Sequence, residues 1–153
     1  MDIETYLTER VDNQIEYFDS KAIRNQKIYK RLKGTAIFSN VFTTLTIALA
    51  LTFISHLKFM GIAALILSTI VLATYQIEEF YNFGAKWEKF RLVAERIKSE
   101  KYLFLSSVGR YASIDTGEKE RVFIEAIEGI IQGTDMSYFS LMIEPGKGIE
   151  KRL

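Results

Sequence analysis

Two long runs without a charged residue constrain the fold of this chain more than any other feature. They span residues 35–57 (TAIFSNVFTTLTIALALTFISHL) and 59–77 (FMGIAALILSTIVLATYQI), and only Lys58 separates them. Each matches the roughly 20 helical residues that cross a bilayer core of about 30 Å. In a soluble protein of 153 residues, the rest of the chain has too little surface to cover two helices that are apolar on every side. We therefore expect two transmembrane spans that form a tight antiparallel hairpin.

The lysines and arginines that flank the spans predict their orientation. Six of them lie between residues 21 and 33, before the first span, and four lie between residues 86 and 96, after the second. The tip carries Lys58 alone, close to the single histidine, His56. Cytoplasmic flanks are enriched in these positive residues, so we expect both termini in the cytoplasm and the tip outside. At such a tip, His56 is expected to be a hydrated interfacial residue.

The first span carries polar residues in its cytoplasmic half. Ser39, Thr43 and Thr46 follow steps of three and four and share one helical face, with Asn40 beside them. Polar groups in hydrocarbon turn toward partners or water, so this face is a candidate to line a path through an oligomer or to contact other helices. Alternatively, the hydroxyls bond carbonyls of their own helix and the asparagine bonds a neighbouring helix. Both interpretations stay open.

The second span contains small residues at helical spacing. Gly61, Ala64 and Ser68 follow one another at steps of three and four. Small side chains let helix backbones approach closely in a membrane. We expect these three positions to pack against a helix, either within the hairpin or between subunits.

Both flanks of the hairpin have the periodicity of long helices. Apolar residues step by three and four through residues 3–33 and again through residues 78–107, as in a coiled coil, with Gly84 as the weak point of the second helix. Because the spans lie side by side, we expect these cytosolic helices to run antiparallel and to meet along their apolar faces. The residues expected at this seam are Phe18, Ala22, Trp87, Phe90 and Ile97.

A further amphipathic helix is predicted over residues 116–132, after a loop that contains Gly109 and Gly117. Its apolar face requires cover, so we expect it to pack on the cytosolic helices. The polar tail, residues 144–153, is expected to be mobile. The fold class is therefore an all-α membrane protein with a single domain.

The sequence lacks the residues that most enzymes use. It has no cysteine and one histidine, and it contains neither a glycine-rich phosphate loop nor a serine nucleophile motif. We expect no catalytic activity, no cofactor and no metal. The basic run over residues 21–33 is compatible with nucleic acid or anionic lipid. The positive-inside rule accounts for it, so we expect no nucleic-acid partner.

Three stretches of the chain carry a resemblance to a known family. The stretches YFDSKAIRNQKIYKRLK before the first span, WEKFRLVAERIKSEKYLF after the second, and GRYASIDTGEKERVFIEAIEGII near the C-terminus resemble the SLATT family. Members of that family are bacterial two-span membrane proteins associated with nucleotide-synthesising and nucleotide-sensing partners. The resemblance implies an inner-membrane effector of a prokaryotic conflict system that permeabilises the membrane. It brings no established catalytic residues.

Two functional hypotheses follow from this sequence. In the first, the protein is a pore-forming or membrane-perturbing effector in anti-phage defence that works as a homo-oligomer in the lipid bilayer, with a possible nucleotide-signalling partner protein. In the second, it is a non-conducting membrane scaffold whose cytosolic helices recruit a partner. The polar face from Ser39 to Thr46 favours the first hypothesis, and the aromatic seam is compatible with both.

Overall fold

The computed structural model describes residues 2–52 and 57–143, and every regular element among them is helical. The all-helical class expected from the sequence is thus confirmed. The expected positions of the tip residue His56 and of the tail 144–153 lie outside the described residues. The elements are α1 (Ile3–Thr5), a π-helical segment (Tyr6–Asp12), α2 (Asn13–Thr52), α3 (Leu57–Tyr81), α4 (Phe83–Leu105), a 3₁₀ turn (Gly109–Tyr111) and α5 (Thr116–Ile143).

The first three elements form one uninterrupted helical rod. Helical geometry continues from Ile3 to Leu51, 49 residues, which corresponds to about 73 Å at about 1.5 Å per residue. The helix passes without a break through Gly34, where the sequence predicts the entry into the first span. A glycine in a helix costs about 1 kcal/mol relative to alanine, yet it keeps the amide donor that a proline would remove.

The sequence marks Gly84 as the weak point of the second long helix, and the interruption between α3 and α4 lies nearby, at Asn82. Asn82 adopts a left-handed conformation with φ 51°, which asparagine tolerates better than most residues. The backbone N–H of Gly84 donates to Glu78 Oε1 at 2.9 Å. A side chain at Gly84 would bring its Cβ within 3.0 Å of the Tyr29 ring. Gly84 therefore admits the close approach of α2, while the break itself lies two residues earlier.

α2 contacts α3 along its C-terminal half and α4 along its N-terminal half. The ammonium of Lys33 lies 5.9 Å from the centre of the Tyr75 ring, and the ring centres of Phe18 and Phe90 are 6.2 Å apart. Residue numbers in α2 fall as those of its partners rise, so α2 runs opposite to α3 and α4. We call residues 35–52 of α2 together with α3 the apolar pair.

The hydrophobic core lies where the N-terminal part of the rod packs against α4 and α5. We call this N-terminal part together with α4 and α5 the aromatic bundle. Phe123 of α5 is fully buried and stacks on Phe104 of α4, with ring centres 4.2 Å apart. Other members of this core are Tyr6, Val11, Phe18, Ala22, Phe90, Ala94, Ile97, Tyr111 and Ile127. Among the described residues, α3 contributes none to this cluster. α5 extends to Ile143, beyond the end at 132 that the sequence predicts.

Candidate membrane-spanning helix pair

The outer surface of the apolar pair is uncovered. Leu51 is 75% exposed and Phe59 is 79% exposed. In the most apolar window of each long helix, only 17% and 6% of the residues are buried. A core helix of a soluble protein would bury most such side chains, because exposed contiguous apolar surface is unfavourable in water. The chain therefore has two helices that are long and apolar enough to cross a membrane, and neither is covered in the way a core helix would be.

The inner face of the pair is built from small residues. On α2, Ala36, Ser39 and Ala50 are buried, and Thr43 and Thr46 between them are half-buried. On α3, Thr74 is buried, and it lines the same small cavity as Ala36. Three of the four predicted polar positions, Ser39, Thr43 and Thr46, thus lie on the side of α2 that faces α3.

The threonine hydroxyls of α2 bond to their own helix. Thr43 Oγ1 donates to the carbonyl of Ser39 at 2.7 Å, and Thr46 Oγ1 donates to the carbonyl of Phe42 at 2.7 Å. Thr44, on the exposed side, donates in the same way to the carbonyl of Asn40 at 3.1 Å. This is the local bonding that short polar side chains adopt within helices. It corresponds to the alternative interpretation of the polar face, in which these groups need neither water nor a pore.

Asn40 differs from the three threonines. It is exposed, and apolar side chains share that exposed surface with it: Val41 is 54% exposed, and Ile37, one turn earlier, is 61% exposed. Within the described part of the chain, no hydrogen bond to its side-chain amide is found. An amide in hydrocarbon without a partner costs at least about 1–3 kcal/mol. Of the four predicted polar positions, Asn40 is therefore the exposed one whose side chain has no hydrogen-bond partner among the described residues.

The three small residues predicted on α3 do not all pack within the hairpin. Ala64 is half-buried on the side that faces α2, whereas Gly61 and Ser68 are exposed. A Cβ at Gly61 would meet nothing within 4 Å, and Ser68 Oγ donates to the carbonyl of Leu65 at 2.9 Å. The structure therefore brings Ala64 to α2 and leaves Gly61 and Ser68 on the outer surface.

The five predicted seam residues lie where α2 and α4 meet. Phe18, Ala22, Phe90 and Ile97 are buried. Trp87 is only half-buried, although its indole Nε1 is inaccessible and without a hydrogen-bond acceptor among the described residues.

Residues 13–119 match a family model described as a protein of unknown function, DUF4231. The chain belongs to the DUF4231 family. The match includes α2, α3 and α4, and it ends in the first turn of α5, so it contains both apolar helices and most of the aromatic bundle. The family description names neither SLATT nor a conflict system. No curated protein and no solved structure matches the chain.

The DUF4231 chain also contains a polar contact that sequence reasoning missed. Arg10 donates to both carboxylate oxygens of Glu128, at 3.0 and 2.9 Å, and the Tyr6 hydroxyl donates to Glu128 Oε1 at 3.0 Å. These bonds hold the pKa of Glu128 below its ordinary value, chiefly because the guanidinium stabilises the carboxylate. Burial of the Tyr6 hydroxyl raises its pKa, and the hydrogen bond to Glu128 raises this pKa further. The contact fastens α5 to the N-terminal end of the rod.

A second polar contact fastens the 3₁₀ turn to α4 in this DUF4231 member. The buried carboxylate of Glu100 accepts from the Tyr111 hydroxyl, and Arg110 Nη2 donates to it at 3.2 Å. Burial raises the pKa of the Tyr111 hydroxyl, with Glu100 adding to the effect. Glu100 occupies a position on the buried face of α4, where a charged residue gives no sequence signal of burial. Among the described residues, no group of metal-ligating side chains is placed to hold an ion.

Proposed function

We propose that this DUF4231 protein is a bacterial inner-membrane effector that assembles as a homo-oligomer and permeabilises the membrane. The apolar pair forms a two-span hairpin in the bilayer, and the aromatic bundle is cytosolic with both termini. The uncovered apolar surface of α2 and α3 supports the membrane placement. The lysine and arginine flanks support the orientation. The resemblance to the SLATT family supports a role in a conflict system, with a nucleotide-signalling partner.

The observation that carries the proposal is the amide of Asn40 on the outer surface of the pair. It lies seven positions after Lys33, about 10 Å further along the helix axis than the last charge. In lipid, the amide N–H could still bond a carbonyl of its own helix, as Asn25 does with the Lys21 carbonyl at 2.7 Å, but the amide oxygen gains a donor only from another helix or from water. Two helices alone enclose no lumen, so conduction requires several copies arranged around an axis. Asn40 is placed to form the contact between copies or to face that axis.

The hydrogen bonds of the threonine hydroxyls in α2 favour the alternative function, a non-conducting membrane scaffold. Thr43, Thr44 and Thr46 satisfy their hydroxyls within their own helix, so these groups do not require a water-filled path. In this alternative, Asn40 joins subunits without conduction, and the aromatic bundle recruits the partner.

The experiment replaces Asn40→Leu and, as a matched control, Thr44→Leu, one turn further along the same exposed surface. Assembly is measured by cross-linking in liposomes and conduction by release of a trapped ion indicator. We expect Asn40→Leu to weaken both assembly and flux, and Thr44→Leu to change neither. Assembly of the wild-type protein without any flux, including in the presence of its signalling partner, would select the scaffold. A protein that stays monomeric in lipid under those conditions would contradict both forms of the proposal.

A reporter fused at Leu153 tests the orientation. We expect a reporter that is active only in the cytoplasm to be active in this fusion, and a reporter that is active only in the periplasm to be inactive. The reverse pattern would contradict the orientation and leave the assembly question intact.

A further inference from the structure

A half-open groove of about 590 Å³ lies between α2, α4 and α5, next to the aromatic bundle. Four cationic side chains line it: Arg10, Lys21, Arg24 and Lys86. None of the described residues that line it is acidic. A concavity with one sign of charge concentrates its potential and attracts counter-ions of the opposite sign.

The nearby carboxylates are engaged elsewhere. Asp19 accepts from Lys98 at 2.5 Å and from Arg91 at 3.0 Å, and Asp12 accepts from Lys101 at 2.5 Å. Of the four groove cations, only Arg10 has a carboxylate partner, Glu128. Lys21, Arg24 and Lys86 form no ion pair with a described carboxylate. Three uncompensated positive charges therefore converge on one space.

Aromatic rings form the other surface of the groove. Phe18 and Phe90 are buried at its base, and Tyr17 packs edge-on against Phe18 with ring centres 5.3 Å apart. The ammonium of Lys21 lies 5.4 Å from the centre of the Tyr17 ring, a cation–π distance that holds this lysine at the groove. Rings on one side also exclude water, which strengthens the interaction of an anion with the cations.

The positive-inside rule does not account for this arrangement. That rule requires positive charge near the membrane, and Lys27, Lys30, Arg31 and Lys33 already supply it. It does not require charges on two different helices to face one concavity. Lys86 on α4 and Lys21 on α2 do so.

We infer that this groove binds a phosphate-bearing anion. Arginine and lysine are the side chains that proteins use for phosphate, as a planar fork and as a point charge respectively. The ligand is either a soluble phosphate compound or the headgroup of an anionic lipid. The inference is independent of whether the spans conduct ions.

The distance of the groove from the membrane favours a soluble phosphate compound as its ligand, given the membrane placement proposed above. Lys21 and Arg24 precede the first span by about 21 and 16 Å of helix, and Lys86 follows the second by about 13 Å. The headgroup layer adds only about 5–8 Å to each side of the hydrocarbon core. Lipid phosphates therefore lie below the groove unless the bundle tilts toward the membrane.

The test titrates inorganic tripolyphosphate into the full-length protein in phosphatidylcholine nanodiscs, with calorimetric detection. We expect saturable binding at a single site that weakens as salt is added. The double variant Arg24→Gln/Lys86→Gln should bind about tenfold more weakly or worse, because it removes two of the charge-assisted contacts to the phosphate groups. The charge-matched control Lys27→Gln/Lys30→Gln lies outside this groove and should bind within about threefold of wild type, apart from general screening. Thermal melts of all three proteins verify folding.

A second arm uses nanodiscs that contain phosphatidylglycerol. If this lipid abolishes tripolyphosphate binding to wild type and co-purifies with wild type but not with Arg24→Gln/Lys86→Gln, the groove takes a lipid headgroup. If the lipid has no effect on tripolyphosphate binding, the ligand of the groove is a soluble phosphate compound. Equal losses in both double variants, or no saturable binding of either probe, would overturn the inference.

Discussion

The apolar pair and the aromatic bundle use the same stripe of α2 with different side chains. In the bundle, this stripe presents Phe18, which is buried, and Tyr29, which packs against Gly84. Further along the same helix, it presents Ala36, Ser39 and Ala50, all buried. The spacing of three and four residues continues without interruption from one region to the other.

The difference fits the placement proposed above, with the aromatic bundle in water and the apolar pair in lipid. In water, burying a large ring removes apolar surface from solvent and stabilises the bundle by roughly 1.5–3 kcal/mol. Between helices in lipid this driving force is absent, so association depends on close packing, which small residues allow. The polar groups of the two regions also differ in where their bonding partners lie. The bundle has ion pairs between helices, such as Lys98 with Asp19, whereas the threonines of the pair bond within their own helix.

The largest effect is expected from truncation in the bundle. Phe123→Ala removes a fully buried ring that stacks on Phe104, and it should lower the free energy of unfolding by about 3–5 kcal/mol. Tyr102→Ala, at a 72% exposed position of α4, should change it by no more than about 0.5 kcal/mol. Chemical unfolding in detergent, followed by circular dichroism, measures both. Similar losses for the two variants would mean that the core is not centred on Phe123.

A smaller effect is expected from overpacking in the apolar pair. Ser39→Leu places a large side chain on the buried face between α2 and α3, and overpacking of this kind costs about 1–3 kcal/mol. Thr44→Leu is the control, because Thr44 is exposed. Thermal unfolding in micelles compares the two variants. If Ser39→Leu is tolerated as well as Thr44→Leu, the small-residue face does not set the distance between the helices.

The contact between Glu128 and Arg10 should contribute about 1–2 kcal/mol, because charge-assisted hydrogen bonds are strong but this pair is partly exposed. Glu128→Gln should therefore destabilise the protein by that amount at neutral pH. Since the pKa of Glu128 is lowered in the folded protein, its stabilisation is present above the unfolded pKa of about 4.3 and is lost as pH falls through the folded pKa.

The difference in unfolding free energy between wild type and Glu128→Gln should thus be constant from about pH 6 to 8 and shrink below about pH 4. Denaturant titrations at several pH values measure it. Arg121, which pairs with Glu118 and Glu125 within α5, provides the control variant Arg121→Gln, with an expected change below about 0.5 kcal/mol. A difference that persists unchanged at pH 3 would contradict the assigned ion pair.

The smallest effect is expected from Thr43→Val. The substitution keeps the shape of the side chain and removes only a hydroxyl that bonds the Ser39 carbonyl of the same helix. That carbonyl still accepts the helical backbone bond, so stability and assembly should change by less than about 0.5 kcal/mol. Flux should also be unchanged. A large loss of flux with intact assembly would show that Thr43 faces a conducting path and would reverse the contrast between Thr43 and Asn40.

Local and periodic features were accessible from the sequence. The helical class, the two apolar runs, and the apolar faces that carry Phe18 on α2 and Phe90 and Ile97 on α4 each depend on spacing within one segment. Such spacing is readable without knowing the partner. The same holds for the start of α5 at Thr116, where the predicted and observed boundaries agree. The proposed functions and the orientation in the membrane stay predictions.

The remaining features depend on contacts between segments far apart in sequence, so only the tertiary structure decided them. The break between α3 and α4 falls at Asn82, beside the close approach of Tyr29 to Gly84. The burial of Glu100 depends on its partners Arg110 and Tyr111. In the same way, the period places Ser39 on the face of Thr43 and Thr46 with Asn40 beside it, but only the packing of α3 buries Ser39 and leaves Asn40 exposed. Which side of a helix is covered is decided by the neighbour that packs there, and that neighbour is set by the whole fold.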